Sequence, residues 1–351
     1  MMLKHDHLIR MTKQEGLVQF CRGTVPDLSS GFTLDDNARA AILTLSMPHS
    51  LKSRLLPVYE QFMKKSVRFS GGWHNFMNES GNFPPSETAS GDSRGRAFQA
   101  YCLLYPQQQK KFLFQPELYF HRLIQGILPV LNTASPSLRA QAYILLGINS
   151  LHSCKIQDNS IFTFFQSIRK HITNYFLSAY QQNVSHSWKW YEPSLTYCNG
   201  ILPHALLSCP DLPEYQVYLN TARDSLLFLC DLLFRDGYLN IIGNHGWFKK
   251  GMNKPPLFDQ QPVDAASTAL CCLAAYQCFH EKCFLEWAVK AQNWFCGENI
   301  HQLSLIDEKS GGCFDALTAD GVNQNQGAES LLAYLMTFYA VENAQKESHG
   351  E

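Results

Sequence analysis

The sequence predicts an all-α chain folded as an (α/α)6 toroid, six inner helices within six outer ones. Three observations carry this. Apolar residues recur with helical periodicity almost throughout, and strand-like alternation is nearly absent. Twelve helical segments can be counted. Every second one opens with a polar stretch, and the reference points Asp36, Ser93, Leu138, Glu192, Pro262 and Asn325 recur about every 58 residues, which makes six helical hairpins of a 351-residue chain.

In chain order the segments are 3–13, 35–45, 51–68, 92–104, 116–131, 136–151, 159–180, 193–208, 213–234, 263–280, 281–296 and 325–343. The odd-numbered ones mix polar residues such as Lys64, Lys65, Gln166 and Lys170 into an apolar stripe, the pattern of a helix with one wet face. The even-numbered ones turn small or apolar after their openings: Ala38, Ala40 and Ala41, then Ala265, Ala266 and Ala269, then Leu331, Leu332 and Ala333. A helix apolar nearly all round is a buried one. Length alone suggests two domains, but the hairpin count makes residues 1–345 one domain with a short polar tail at 346–351.

Composition narrows the function. Lys+Arg number 29 against 30 Asp+Glu, so the net charge of −1 gives no general attraction to nucleic acid or an anionic membrane. With 45% hydrophobic and only 17% charged residues, the chain can bury enough surface to fold. No apolar run is long enough for a transmembrane helix, and the start lacks a signal-peptide pattern. The 12 cysteines are scattered, many within apolar helices, with no C-x-x-C pair. They read as small buried hydrophobes in a reducing compartment, so a cytoplasmic location is expected. No metal-spaced His/Cys cluster and no nucleotide-binding fingerprint occurs, so neither metal nor cofactor is expected.

Parallel inner helices bring their N-termini to one face, where scattered polar openings become neighbours. Asp, Asn and Ser belong at helix starts for capping alone. Capping does not account for Arg39, Arg94, Arg96 and Arg139 near positive dipole ends, or for Trp73, Trp188, Trp190, Tyr191 and Trp247 in or beside the loops. Aromatic faces beside carboxylates, amides and arginines suit a small carbohydrate ligand.

Glycoside hydrolysis needs two carboxyl groups, one acid and one base or nucleophile. Asp36 and Asp92 are the leading pair, although each also stands where a first-turn carboxylate is wanted. Glu192 is a third candidate, since glutamate is a poor N-cap. Asp259 precedes its helix and suits the cleft; Asp264 suits the cleft or the helix dipole. Glu329 follows Asn325 and Gln326 at capping-box spacing. Asp315 lies in a glycine-flanked loop. Asp35, Arg39, Arg96, Gln260, Gln261, Asn323, Gln324 and Gln326 are candidates for reading hydroxyls, with Trp73, Trp190, Tyr191 and Trp247 as platforms. His74 and His245 are alternative general bases, which would turn the chemistry toward sugar epimerisation or isomerisation.

At these openings the sequence resembles a group of bacterial proteins and domains with the six-hairpin glycosidase-type toroid, found alone or attached to glycosyltransferase modules. The resemblance rests on Ser29-Ser30-Gly31-Phe32-Thr33-Leu34-Asp35-Asp36-Asn37-Ala38-Arg39-Ala40, Trp190-Tyr191-Glu192-Pro193-Ser194-Leu195-Thr196-Tyr197, Phe258-Asp259-Gln260-Gln261-Pro262-Val263-Asp264-Ala265, and the stretch from Gly311 to Ser330. It implies a carbohydrate-active protein, with a glycosyltransferase as a partner where the two are joined. Two departures stand out. Ser90-Gly91-Asp92-Ser93 replaces the group's Ser-Glu-Asp-Ser, and Thr196-Tyr197-Cys198-Asn199-Gly200-Ile201 replaces Thr-Tyr-Asp-Asn-Ala-Arg. Acids are thus missing at Gly91 and Cys198, and an arginine at Ile201. These losses leave open a non-catalytic sugar-binding role.

Overall fold

The computed structural model describes residues 3–152, 154, 156–209, 212 and 214–349. Among them are twelve α-helices: α1 Asp6–Met11, α2 Leu34–Leu43, α3 His49–Lys65, α4 Gly91–Gln108, α5 Pro116–Leu131, α6 Leu138–Ser150, α7 Asn159–Asn183, α8 Ile201–Leu207, α9 Tyr215–Leu233, α10 Pro262–Phe279, α11 Lys282–Phe295 and α12 Ala328–His349. Six two-stranded antiparallel ribbons lie in the connections. Their strands are two or three residues long, too short to leave an alternation in the sequence. No helix among the described residues is long and apolar enough to cross a membrane, and no disulfide joins the described cysteines.

The chain divides into two compact units. One comprises Thr12–Gln19 and Leu28–Tyr175; the other comprises Met1–Met11, Phe20–Asp27 and Phe176–Glu351. In the first unit α4 packs between α2 and α6, with α3 against α2 and α5 against α4 and α6. Helix α6 is buried at every position from Leu138 to Ile148. Helix α3 buries Leu55, Leu56, Tyr59, Phe62 and Met63, one stripe at steps of three and four. The second unit repeats the scheme. Helix α10 packs against α8 and α12, α9 lies against α8 and α10, and α11 against α10 and α12.

Several boundaries differ from the sequence expectation, each for a local reason. The first helix stops at Met11 because Thr12–Lys13 pairs with Gly16–Leu17. Helix α4 runs on to Gln108 with Pro106 inside it. The helix expected from residue 193 begins at Ile201. Ser194–Leu195 pairs instead with Phe248–Lys249, Cys198 has φ +46°, and the Asn199 side chain accepts from Thr196 N–H at 3.0 Å and donates to Thr196 C=O at 2.8 Å. That side-chain bonding back to the Thr196 backbone offers the chain an alternative to helix. Helix α12 starts at Ala328 and runs to His349, through most of the expected tail; Gly350 and Glu351 lie outside the described residues.

Candidate functional site

In the first unit, the starts of α2, α4 and α6 carry a connected group of charges. Thr33 caps α2: its hydroxyl oxygen accepts from Asp36 N–H at 3.1 Å and its hydroxyl donates to Asp36 Oδ2 at 2.6 Å. The hydroxyl thus both caps the helix and holds the carboxylate of the third helical position. Asp36 is 5% exposed, and its Oδ1 also takes Arg39 Nη1 at 3.3 Å. Its carboxylate is thereby turned into the helix start, not toward solvent. The half-buried member of the Asp35–Asp36 doublet is Asp35.

Asp35 sits between two guanidinium groups. Arg39 Nη2 lies 2.9 Å from its Oδ2, and Arg96 Nε lies 2.8 Å from its Oδ1. The second approach is a charge contact without hydrogen-bond alignment. Arg39 and Arg96 are 6% and 8% exposed, so both are held in a medium where such attractions are weakly screened. The Arg96 guanidinium carbon also lies 4.2 Å from the Tyr143 ring centroid, a cation–π contact from α6. Asp92 is one turn before Arg96 on the same face of α4. It is half-buried, and Ser137 Oγ donates to its Oδ1 at 2.9 Å. Asp35 and Asp92 thus flank Arg96 at the first turns of two packed helices. Arg139, 4% exposed at the start of α6, adds another buried cation.

Arg94 has a different task. It donates to the carbonyls of Ala89 and Gly126 at 3.0 and 3.1 Å, tying the loop before α4 to α5. Trp73, expected as a sugar platform, is 1% exposed and stacked on Tyr101 at 6.0 Å. A Cβ at Gly126 would come within 1.9 Å of its ring, so α5 presses directly on it. Close packing takes up the faces that a sugar would need. His74 stacks on Phe83 at 5.2 Å and its Nδ1 donates to Glu87 C=O at 3.0 Å.

The second unit places its candidates at the starts of α8, α10 and α12. Trp190 and Tyr191, also expected as platforms, are 0% and 1% exposed. Tyr191 packs edge-on against Phe176, Tyr180 and Trp190, and its hydroxyl bonds Ser225 Oγ at 2.8 Å. They are core aromatics, because a ring that fills space between helices gains more from burial than from lining a wet loop. Trp247 is the half-buried tryptophan of the expected set, 6.3 Å from the ring of Tyr197. Tyr197 was not singled out in the sequence, nor was Tyr143. Each is a single aromatic whose partner lies far along the chain.

Glu192 is half-buried, with its backbone carbonyl accepting from Trp188 Nε1 at 2.9 Å. Asp259 is half-buried, and its Oδ2 lies 3.6 Å from Nε2 of the exposed His245. Asp264 is 6% exposed and its Oδ1 accepts from Cys198 N–H at 2.6 Å. It joins α10 to the turn before α8. Gly200 belongs to the same junction: a Cβ there would stand 2.3 Å from the Ser267 carbonyl oxygen, so α8 begins closer to α10 than alanine allows. The departure from the group's Ala and Asp at positions 200 and 198 therefore falls at a helix–helix contact, and Cys198 is 1% exposed.

Gln260 and Gln326, expected to read hydroxyls, are 0% and 1% exposed and bonded to protein. Gln260 Nε2 donates to Asn240 Oδ1 at 2.7 Å and its Oε1 accepts from Trp294 Nε1 at 2.9 Å. Gln326 accepts from Ser310 Oγ at 2.7 Å and donates to Asp307 Oδ2 at 2.9 Å. A buried amide has to be satisfied, and these are satisfied internally. Gln261 is half-buried, while Asn323 and Gln324 are exposed. Asp315 Oδ1 accepts from Gly327 N–H at 2.7 Å, which holds the approach to α12. Burial pushes its carboxyl upward against the Gly327 and Ser330 hydrogen bonds, and the charge of half-buried Glu329 adds to the rise. Among the described residues, no group of three or more His, Cys, Asp or Glu side chains could hold a metal ion.

No family profile and no characterised sequence relative matches the chain. Solved structures do. A cellobiose 2-epimerase from Bacillus thermoamylovorans superposes with a TM-score of 0.73 at 10% identity, over 98% of this chain and 96% of that one. A D-mannose isomerase gives 0.70 at 12% identity, over 97% and 96%. An alpha-1,6-mannanase from Salegentibacter gives 0.62 at 12% identity, over 97% and 96%. An inactive variant of that mannanase is known in complex with alpha-1,6-mannotetrose. At such identities the likeness is one of fold, and the fold is the (α/α)6 toroid.

Proposed function

We propose that the chain is a carbohydrate-active enzyme that hydrolyses a glycosidic bond in a small oligosaccharide or glycoconjugate, with Asp35 and Asp92 as its working carboxylates. The observation that carries this reading is the charge contact of Asp35 with Arg96, one turn after Asp92 on α4, with both carboxylates half-buried on the first turns of α2 and α4. Asp35, matched by two guanidinium groups, is positioned to face the positive charge that develops at the anomeric carbon. Asp92, hydrogen-bonded to a hydroxyl, is the group to exchange a proton with the glycosidic oxygen or a water. Asp36 positions Asp35 by fixing the first turn of α2. That structures of similar fold include a mannanase supports the substrate class.

The test is turnover of an oligosaccharide and aryl-glycoside panel, followed by mass spectrometry. Hydrolysis adds water and yields two products. Asp35→Asn and Asp92→Asn should each lower the rate by about 10²–10⁴, whereas full activity in both variants would remove the assignment.

Epimerisation or isomerisation is the second reading. It is favoured by the His245–Asp259 contact, a base beside a carboxylate, and by the epimerase and isomerase among the structures of similar fold. It predicts no cleavage, and deuterium uptake at the inverted carbon when the reaction runs in heavy water.

A further inference from the structure

Away from the helix starts, the first unit holds a cavity of about 300 Å³ between α3, α4 and α5 and the loop 109–115. Its wall is apolar and aromatic, with Met63, Trp73, Leu104, Tyr119 and Leu123 among the lining residues. The Trp73 side chain in this wall is 1% exposed and stacks on Tyr101, another lining residue.

The mouth differs from the wall. Phe112 and Leu113 line the opening yet are 94% and 81% exposed, and Leu113 has φ +64°. The loop therefore keeps two large apolar side chains in water at the rim. The carboxylate of the lining, Glu60, is already taken: Lys111 Nζ lies 2.7 Å from its Oε2 and Gln108 Nε2 donates to its Oε1 at 2.6 Å. Lys64 and Arg122, both exposed on the rim, remain as surplus positive charge.

An apolar wall, two apolar side chains left in water at the mouth and a cationic rim define a ligand. We propose that this cavity is a second binding site, for an amphipathic anion: an aliphatic or aromatic body with one acidic group. At roughly 30 Å³ per water-sized unit, the space holds on the order of ten heavy atoms. The body displaces water from the wall, the acidic group meets Lys64 and Arg122, and the ligand covers Phe112 and Leu113.

The experiment titrates the full chain with octanoate, followed by calorimetry and by tryptophan fluorescence, with octanol as the uncharged control. Saturable binding of one octanoate per chain is expected, octanol binding more weakly. The double variant Lys64→Glu/Arg122→Glu alters exposed side chains only, and its fold is checked by thermal unfolding. It should weaken octanoate binding by about tenfold or more. Three results would overturn the proposal: no saturation into the millimolar range; equal binding of octanol and octanoate, or no effect of the double variant; or self-association of the wild-type chain, abolished by Phe112→Ser/Leu113→Ser, with no octanoate bound.

Discussion

Replacing Arg96 with methionine removes the guanidinium that joins the first turns of α2 and α4. In the native chain Arg96 is 8% exposed, its Nε lies 2.8 Å from Asp35 Oδ1, and its guanidinium carbon lies 4.2 Å from the Tyr143 centroid. Removing one partner of a fully buried ion pair costs about 3–5 kcal/mol. Asp35 retains Arg39 at 2.9 Å and its side chain is 23% exposed, which lowers the ionic loss to about 1–2 kcal/mol. Loss of the cation–π contact adds about 1 kcal/mol, while methionine restores much of the stem's packing. The sum is about 2–3 kcal/mol, read as a fall in the urea midpoint with unchanged slope. A double-mutant cycle with Asp35→Asn isolates the pair. If Arg96 acts through Asp35, the two changes together cost less than their sum by about 1 kcal/mol or more. Additivity within about 0.5 kcal/mol would refute the claim that these side chains form one unit.

Three further outcomes follow from single contacts. His204 is held at a pKa of about 4 by burial, below its ordinary 6.5, and its Nδ1 has no hydrogen-bond partner. The unfolded chain therefore takes up that proton first, and stability is lost as pH falls from about 6.5 toward 4, by about 2–3 kcal/mol over the window. His204→Gln should flatten that slope in pH-dependent denaturation, and an unchanged slope would count against the burial. Gly126→Ala drives a methyl group to 1.9 Å from the Trp73 ring; a loss of about 1–3 kcal/mol with a shifted tryptophan emission is expected, and a variant of native stability would show that α5 yields easily. Asp264→Ala removes the acceptor for Cys198 N–H at a cost of about 1–3 kcal/mol. Asp264→Asn keeps an acceptor and should recover most of it in thermal unfolding; if both variants lose equally, charge and not the hydrogen bond is what matters.

Helices were the legible part of this sequence, and the reason is local. Helix α5 occupies Pro116–Leu131, as its periodicity implies, and α6 shows the all-round burial that its apolar composition demands. Where the chain leaves helical geometry for two or three residues, as at Ser194–Leu195, the pairing partner lies more than fifty residues away at Phe248–Lys249 and no local pattern announces it. The same distinction runs through the candidate site. The polar helix openings could be read as a class, because helix N-termini favour such residues.

Which carboxylate of each opening faces outward could not be read. Asp35 and Asp36 are adjacent and chemically identical. The Thr33 cap and the 100° step between successive helical side chains turn Asp36 into the helix start and leave Asp35 for Arg96. Trp73 and Trp190 look like platforms in a loop-rich sequence, and only the packing of α5 onto one and of Tyr191 onto the other makes them core. The repeated helical hairpin and the chemical inventory at each opening are written in the residues, since both follow from short-range propensity and periodicity. Which of those groups meet is settled by packing, because ion pairs such as Asp35–Arg96 and contacts such as Asp264–Cys198 depend on backbones brought together from distant parts of the chain.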